Sequence, residues 1–184
     1  MPNWCANHIE ITGPADKLKQ IYNTTEIKNR GKVNQGPEQG FLETLAPLND
    51  WDYHKAIDNW GTKWEVDVEL DFNYTDSGAV LTGYFDSAWS PPIQACETFM
   101  KDNPDCDIQL HYYEPAMDFC GDLNNHIIIS DEGIDFFSND PVGQELDGHF
   151  AIIDMIEETE ELEQEEILAT PPDVMEGTEF EEEV

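Results

Sequence analysis

Val66, Val68, Leu70 and Phe72 alternate with Asp67, Glu69 and Asp71. Successive side chains of a strand point to opposite faces, so residues 65–74 read as a strand with one apolar face and one face of carboxylates. Thr75-Asp76-Ser77-Gly78 then reads as a hairpin turn, and a second strand returns over 79–87. A hairpin with one wet face commits the chain to an antiparallel sheet whose other face has to be covered.

The flanking segments supply that cover. Residues 3–12 read as an opening strand stopped by Gly13-Pro14, and 14–22 as a short helix with Leu18, Ile21 and Tyr22 on its apolar side. The polar, Gly-rich stretch 23–40 reads as a loop, and 41–58 as broken helical turns around Pro47. Pro91-Pro92 opens a helix to about Lys101, since proline suits a first helical turn. Asn103-Pro104-Asp105 ends it, and 106–113 reads as a strand. The order is β-α-β-β-α-β, the ferredoxin-like arrangement of an α+β protein.

A further strand pair is expected at 116–138, where HIII and IDFF flank Ser130-Asp131-Glu132-Gly133. Asp140-Pro141 predicts an N-cap followed by proline at the first helical position. Val142, Leu146, Phe150, Ile153 and Ile156 then mark one face of a helix. The expected organisation is a ferredoxin-like domain over 1–140, an acidic amphipathic helix over 141–168 and a disordered acidic tail over 169–184.

Forty-one acids face eight bases, a net charge of −33. All eight bases lie in residues 1–101 against fifteen acids, whereas residues 102–184 hold twenty-six acids and no Lys or Arg. Such a field repels nucleic acid and anionic membrane and attracts basic surfaces. Direct nucleic-acid binding is not expected, because phosphate contacts need Lys and Arg. Lys outnumbers Arg and the acidity is concentrated after residue 101, which argues against adaptation to high salt. No apolar run approaches the roughly 20 residues needed to span a bilayer. Met1-Pro-Asn-Trp carries no secretory pattern, and the four scattered cysteines form no CxxC, so a cytoplasmic protein with reduced thiols is expected.

PNWCAN at 2–7, NWGTKW at 59–64, AWSPP at 88–92 and an E-x4-F-x-G pattern at Glu114, Phe119 and Gly121 stand in this order. Over residues 1–122 the chain resembles the YubB ferredoxin-like family. The resemblance implies a ferredoxin-like fold and a phage, plasmid or bacterial origin, and supplies no chemistry. Pro115 and Ala116 stand where that pattern would have a glycine, and the acidic extension over 123–184 lies outside it.

Two residue sets are candidate sites. Trp4, Cys5, Asn7, Asn59, Trp60, Lys63, Trp64, Trp89 and Ser90 converge if the first strand is central in the sheet. Tryptophan beside asparagine can stack on and hydrogen-bond a flat ligand such as a nucleotide, or simply build a structural corner. It offers neither nucleophile nor base. The second set is acidic: Glu157, Glu158, Glu160, Glu161, Glu163, Glu165 and Glu166, with Asp67, Glu69 and Asp71. Carboxylates in regular arrays can occupy a groove built for phosphate. His8 and Cys5 are three apart, on opposite faces of a strand, and His54, His111, His126 and His149 are scattered, so no metal centre is expected. Asp131-Glu132-Gly133-Ile134-Asp135 falls short of a calcium loop. Nucleophile motifs, P-loops and GxGxxG are absent from the sequence, so neither cofactor nor enzymatic activity is expected. The expected function is inhibition of a basic host protein, such as a defence nuclease, by DNA mimicry. The rivals are a ligand-binding module and a structural protein with an inert acidic tail.

Overall fold

The computed structural model describes residues 3–30, 40–48, 50 and 52–169, the side chains of 27–30 and 163–169 excepted. The elements run β1 (Trp4–Gly13), α1 (Ala15–Arg30), α2 (Phe41–Leu45), α3 (Tyr53–Trp60), β2 (Glu69–Thr75), β3 (Gly78–Ala88) and α4 (Ile93–Asp102). There follow β4 (Asp107–Glu114), a 3-10 turn at Pro115–Met117, β5 (Phe119–Asp122), β6 (His126–Ile128), α5 (Ile129–Asn139), α6 (Pro141–Phe150) and α7 (Ile152–Ala169). The sheet order is β2-β3-β1-β4-β5-β6, and every neighbouring pair is antiparallel. The fold is therefore the α+β, ferredoxin-like one, with β1 central and two strands added beyond β4.

One face of the sheet carries the main core. Ile9, Ile11, Leu81 and Leu110 pack there against Leu18, Phe41, Trp60 and Cys96 from the four helices on that side. A second, smaller core lies on the opposite face, where Tyr113 and Cys120 meet Phe137, Leu146 and Ile152. That core covers the β4–β5 half. The β2–β3 half of the same face presents Glu69, Asp71, Tyr84 and Asp86 to solvent.

The four cysteines are free and buried. Burial pushes the Cys5, Cys96 and Cys120 thiols up to about 12, so they act as small apolar fillers. No helix among the described residues is long and apolar enough to cross a membrane.

Several boundaries differ from the sequence reading. The helix expected over 14–22 continues to Arg30 because Leu18, Ile21 and Thr25 extend one buried stripe. Residues 31–39 of the expected loop lie outside the described residues, as does the tail over 170–184. The strand expected from residue 65 starts at Glu69, since Glu65 is engaged elsewhere: its carboxylate accepts from the Leu42 and Glu43 amides at the start of α2. The HIII segment pairs as β6 only to Ile128, and IDFF is helical rather than a strand, with Phe137 buried against α6. The single helix expected over 141–168 is two. Ala151 takes the left-handed conformation at φ 52°, and Asp147 caps the second helix by accepting from the Ile153 amide at 2.8 Å.

Candidate functional site

The solvent side of the sheet follows from strand register. Glu69 pairs with Tyr84, Tyr84 with His8, His8 with His111, and His111 with Asp122. Directly opposed residues of antiparallel strands share a face. Five polar side chains from five strands therefore form one transverse row. Helix α6 crosses the β4 end of this face and lays His149 onto the row.

The three imidazoles meet closely. His149 stacks on His8 at 4.0 Å between ring centroids and on His111 at 4.7 Å. One ring nitrogen from each of the three lies within 4.8 Å of the others. The Tyr84 hydroxyl is 3.2 Å from His149 Nδ1, and Glu145 Oε1 is 3.4 Å from His111 Nε2. Glu145 and His149 are four apart on α6, one turn along the same helix face. His111 is only 6% exposed. The Nδ1 atoms of His8 and His111 are buried and have no hydrogen-bond partner among the described residues. Burial, reinforced by the neighbouring rings of His149 and His111, lowers the His8 pKa to about 4. Burial and His111 also lower that of His149, against the opposing pull of Glu145. At neutral pH these two rings are uncharged, and each keeps a lone pair.

This triad corrects the expectation that the histidines are scattered. His8, His111 and His149 converge, while His126 packs against Tyr112 and Phe119 and His54 beside Tyr53. Sequence spacing could not show it. The alternation of β1 and β4 does put His8 and His111 on the faces opposite the core, which is the one signal available.

The acidic set divides. Asp67, Glu69 and Asp71 alternate with buried Val66, Val68 and Leu70 and line an open cleft with His8, Thr82 and Tyr84. On α7 every residue from Glu157 to Leu162 is exposed, Glu157, Glu158, Glu160 and Glu161 included. The helix has left the body there. Glu163, Glu165 and Glu166 lie on its continuation, with side chains outside the described residues.

The tryptophan-asparagine segments do converge. Trp89 donates its amide to Asn3, Ser87 bonds Asn7 and the Ser90 carbonyl, Thr62 pairs with Ala88, and the Ser90 hydroxyl reaches Gly61. Their side chains take different tasks. Trp60 is wholly buried, with its ring N–H donated to Ala46 at 2.8 Å. The Asn7 amide nitrogen serves Cys5, Phe85 and Ser87. Asn59 bonds back to the Lys55 carbonyl within α3 instead of closing the turn. Trp4 and Trp64 are exposed, and Lys63 sits 4.2 Å over the ring of Trp89, whose φ is 73°. Glu114 is buried and caps the 3-10 turn by accepting from the Met117 amide.

Residues 59–155 match the family model described as the ferredoxin-like domain in Api92-like protein. The chain belongs to that family. The matched segment of this Api92-like domain contains Tyr84, His111, Glu145 and His149, while His8 precedes it. No curated protein and no solved structure shows a significant match.

Proposed function

We propose that this Api92-like protein is a non-enzymatic inhibitor of phage or plasmid type that binds a basic protein surface. Its target would be the nucleic-acid groove of a host defence nuclease, occupied by imitation of phosphate spacing. The carrying observation is the exposed run Glu157–Leu162 on α7, together with the glutamates that follow it in sequence. Residues 157–166 hold seven glutamates. At 1.5 Å rise per residue these ten positions span about 15 Å, roughly one charge per 2 Å of axis. B-DNA carries one per roughly 1.7 Å. Glu69 and Asp71 on β2, with Asp67 just before it, add a second line of carboxylates. The motif resemblance to the YubB family supports the mobile-element setting.

The test is capture from host lysate on immobilised protein. A partner should bind at low salt, elute as salt rises, and be displaced by duplex DNA. It should be lost when Glu157, Glu160, Glu161 and Glu165 are changed to lysine. Exposed charges are screened over about 8 Å at physiological ionic strength, so binding that survives high salt would refute mimicry. The nucleotide-binding alternative predicts that a nucleotide quenches tryptophan fluorescence. The commitment of the Trp60 N–H and the Asn7 amide nitrogen to protein acceptors favours the structural corner over it.

A further inference from the structure

We infer that His8, His111 and His149 form a binding site for one divalent transition-metal ion of the zinc class. The site is independent of the α7 glutamates. Three elements distant in sequence, β1, β4 and α6, bring the rings together, with a nitrogen of each within 4.8 Å of the others. Bonds of about 2.0–2.1 Å to a tetrahedral zinc would draw these nitrogens to roughly 3.3 Å apart. The rings must therefore rotate and close in on the ion, from a starting point already within reach.

The polar neighbours assign the ligand atoms: Tyr84 hydrogen-bonds His149, and Glu145 Oε1 stands 3.4 Å from His111 Nε2, a contact that can tighten as the rings close on the ion. Glu145 can accept from His111 Nε2–H, which leaves His111 Nδ1, buried and unpartnered, as the donor to the metal. His8 Nδ1 is likewise buried and unpartnered. Tyr84 holds His149 at Nδ1, so His149 ligates through Nε2. Metal-bound histidines commonly give their second nitrogen to a carboxylate or another oxygen, and Glu145 and Tyr84 are placed for that role.

The competing reading is a stack of neutral imidazoles filling space between sheet and helix. It leaves two buried nitrogens desolvated without a bond, and apolar side chains would fill the same space without that cost. The donor set selects the ion. Three imidazoles suit zinc and its transition-metal neighbours, whereas magnesium and calcium prefer oxygen. His8 and Tyr84 also border the cleft carrying Asp67, Glu69 and Asp71, which opens the site to solvent and concentrates cations at its mouth.

Net charge alone attracts divalent ions, so the test has to separate the triad from that background. Full-length protein stripped with EDTA is titrated with Co²⁺ in about 0.15 M salt and excess Mg²⁺, conditions that screen diffuse association. The expected result is one equivalent of Co²⁺ with visible absorption bands, displaced by Zn²⁺ and not by Mg²⁺. His149→Ala, at a half-buried position where α6 meets the sheet, should abolish the bands while far-UV circular dichroism stays native, and His8→Gln should do the same. Glu145→Gln should weaken binding by about 10–100-fold, the usual effect of losing such a partner. Lysine at Glu157, Glu160, Glu161 and Glu165 should leave it unchanged. Absence of the bands in wild type, or equal Co²⁺ binding by wild type and the two histidine variants, would overturn the assignment.

Discussion

Replacing Trp60 with alanine tests whether the NWGTKW segment is a structural corner. Trp60 is 0% exposed, and its ring N–H bonds the carbonyl of Ala46, itself only 3% exposed. Truncating a buried tryptophan costs about 3–5 kcal/mol. The orphaned carbonyl adds about 1–3 kcal/mol. The total approaches the roughly 5–15 kcal/mol by which domains are stable, so Trp60→Ala should be unfolded or close to it. Trp60→Phe keeps most of the ring and loses the bond, at about 1–3 kcal/mol. Trp4 belongs to the same motif set but is 50% exposed, and Trp4→Ala should cost no more than about 2 kcal/mol. The assay is urea unfolding followed by far-UV circular dichroism, because tryptophan fluorescence changes with the substitution. With a slope of about 2 kcal/mol per molar, Trp60→Phe should move the midpoint by roughly 0.5–1.5 M. Equal shifts for Trp60→Ala and Trp4→Ala, or none for Trp60→Phe, would refute this account.

Two further predictions concern the face bearing the triad. In metal-free protein the His8 pKa lies near 4 when folded against 6.5 for the free group, so the unfolded chain binds more protons between these values. Its contribution is complete above pH 6.5 and is lost as pH falls towards 4; with solvent screening discounted it is about 1–2 kcal/mol. The stability of wild type minus that of His8→Gln, measured across this window, isolates the effect from the many carboxylates, and a flat difference would refute it. Gly143 lets α6 approach α5 so closely that a Cβ there would lie 2.4 Å from the Phe136 carbonyl oxygen. Gly143→Val should therefore cost at least about 1–3 kcal/mol and, by shifting α6, weaken Co²⁺ binding; an unchanged melting temperature would show that the helices have room.

The sheet was readable because alternation in β1, β2, β3 and β4 is a local signal, and turn residues mark the ends of each strand. Where a local pattern fits two structures, tertiary packing decided. Phe136-Phe137 suits a strand or a helix, and burial of Phe137 against Leu146 selects the helix. Nothing local marks Ala151 as a break, since alanine is an excellent helix former. The break turns Ile152 inward to 0% exposure, and this long-range gain overrides propensity. The histidine triad was unreadable for a related reason. It depends on the register between β1 and β4 and on the rotation of α6, neither of which any single segment encodes. The tryptophan-asparagine segments were readable as a convergence, but not in their division of labour, because Trp4 and Trp60 look alike in sequence and differ completely in burial.

The central position of β1 also bears on how the chain is made. β1 leaves the ribosome before the other described strands, yet its two neighbours are β3, which ends at Ala88, and β4, which ends at Glu114. At roughly 5–20 residues per second, about 100 residues of synthesis separate the release of β1 from completion of its second ladder, a wait of roughly 5–20 s. Throughout it the nascent chain carries a strand with unpaired backbone and apolar Ile9 and Ile11. An early truncation therefore yields an adhesive fragment, and a short-lived one where proteases are near, whereas a stop after Glu114 leaves β1 paired on both sides.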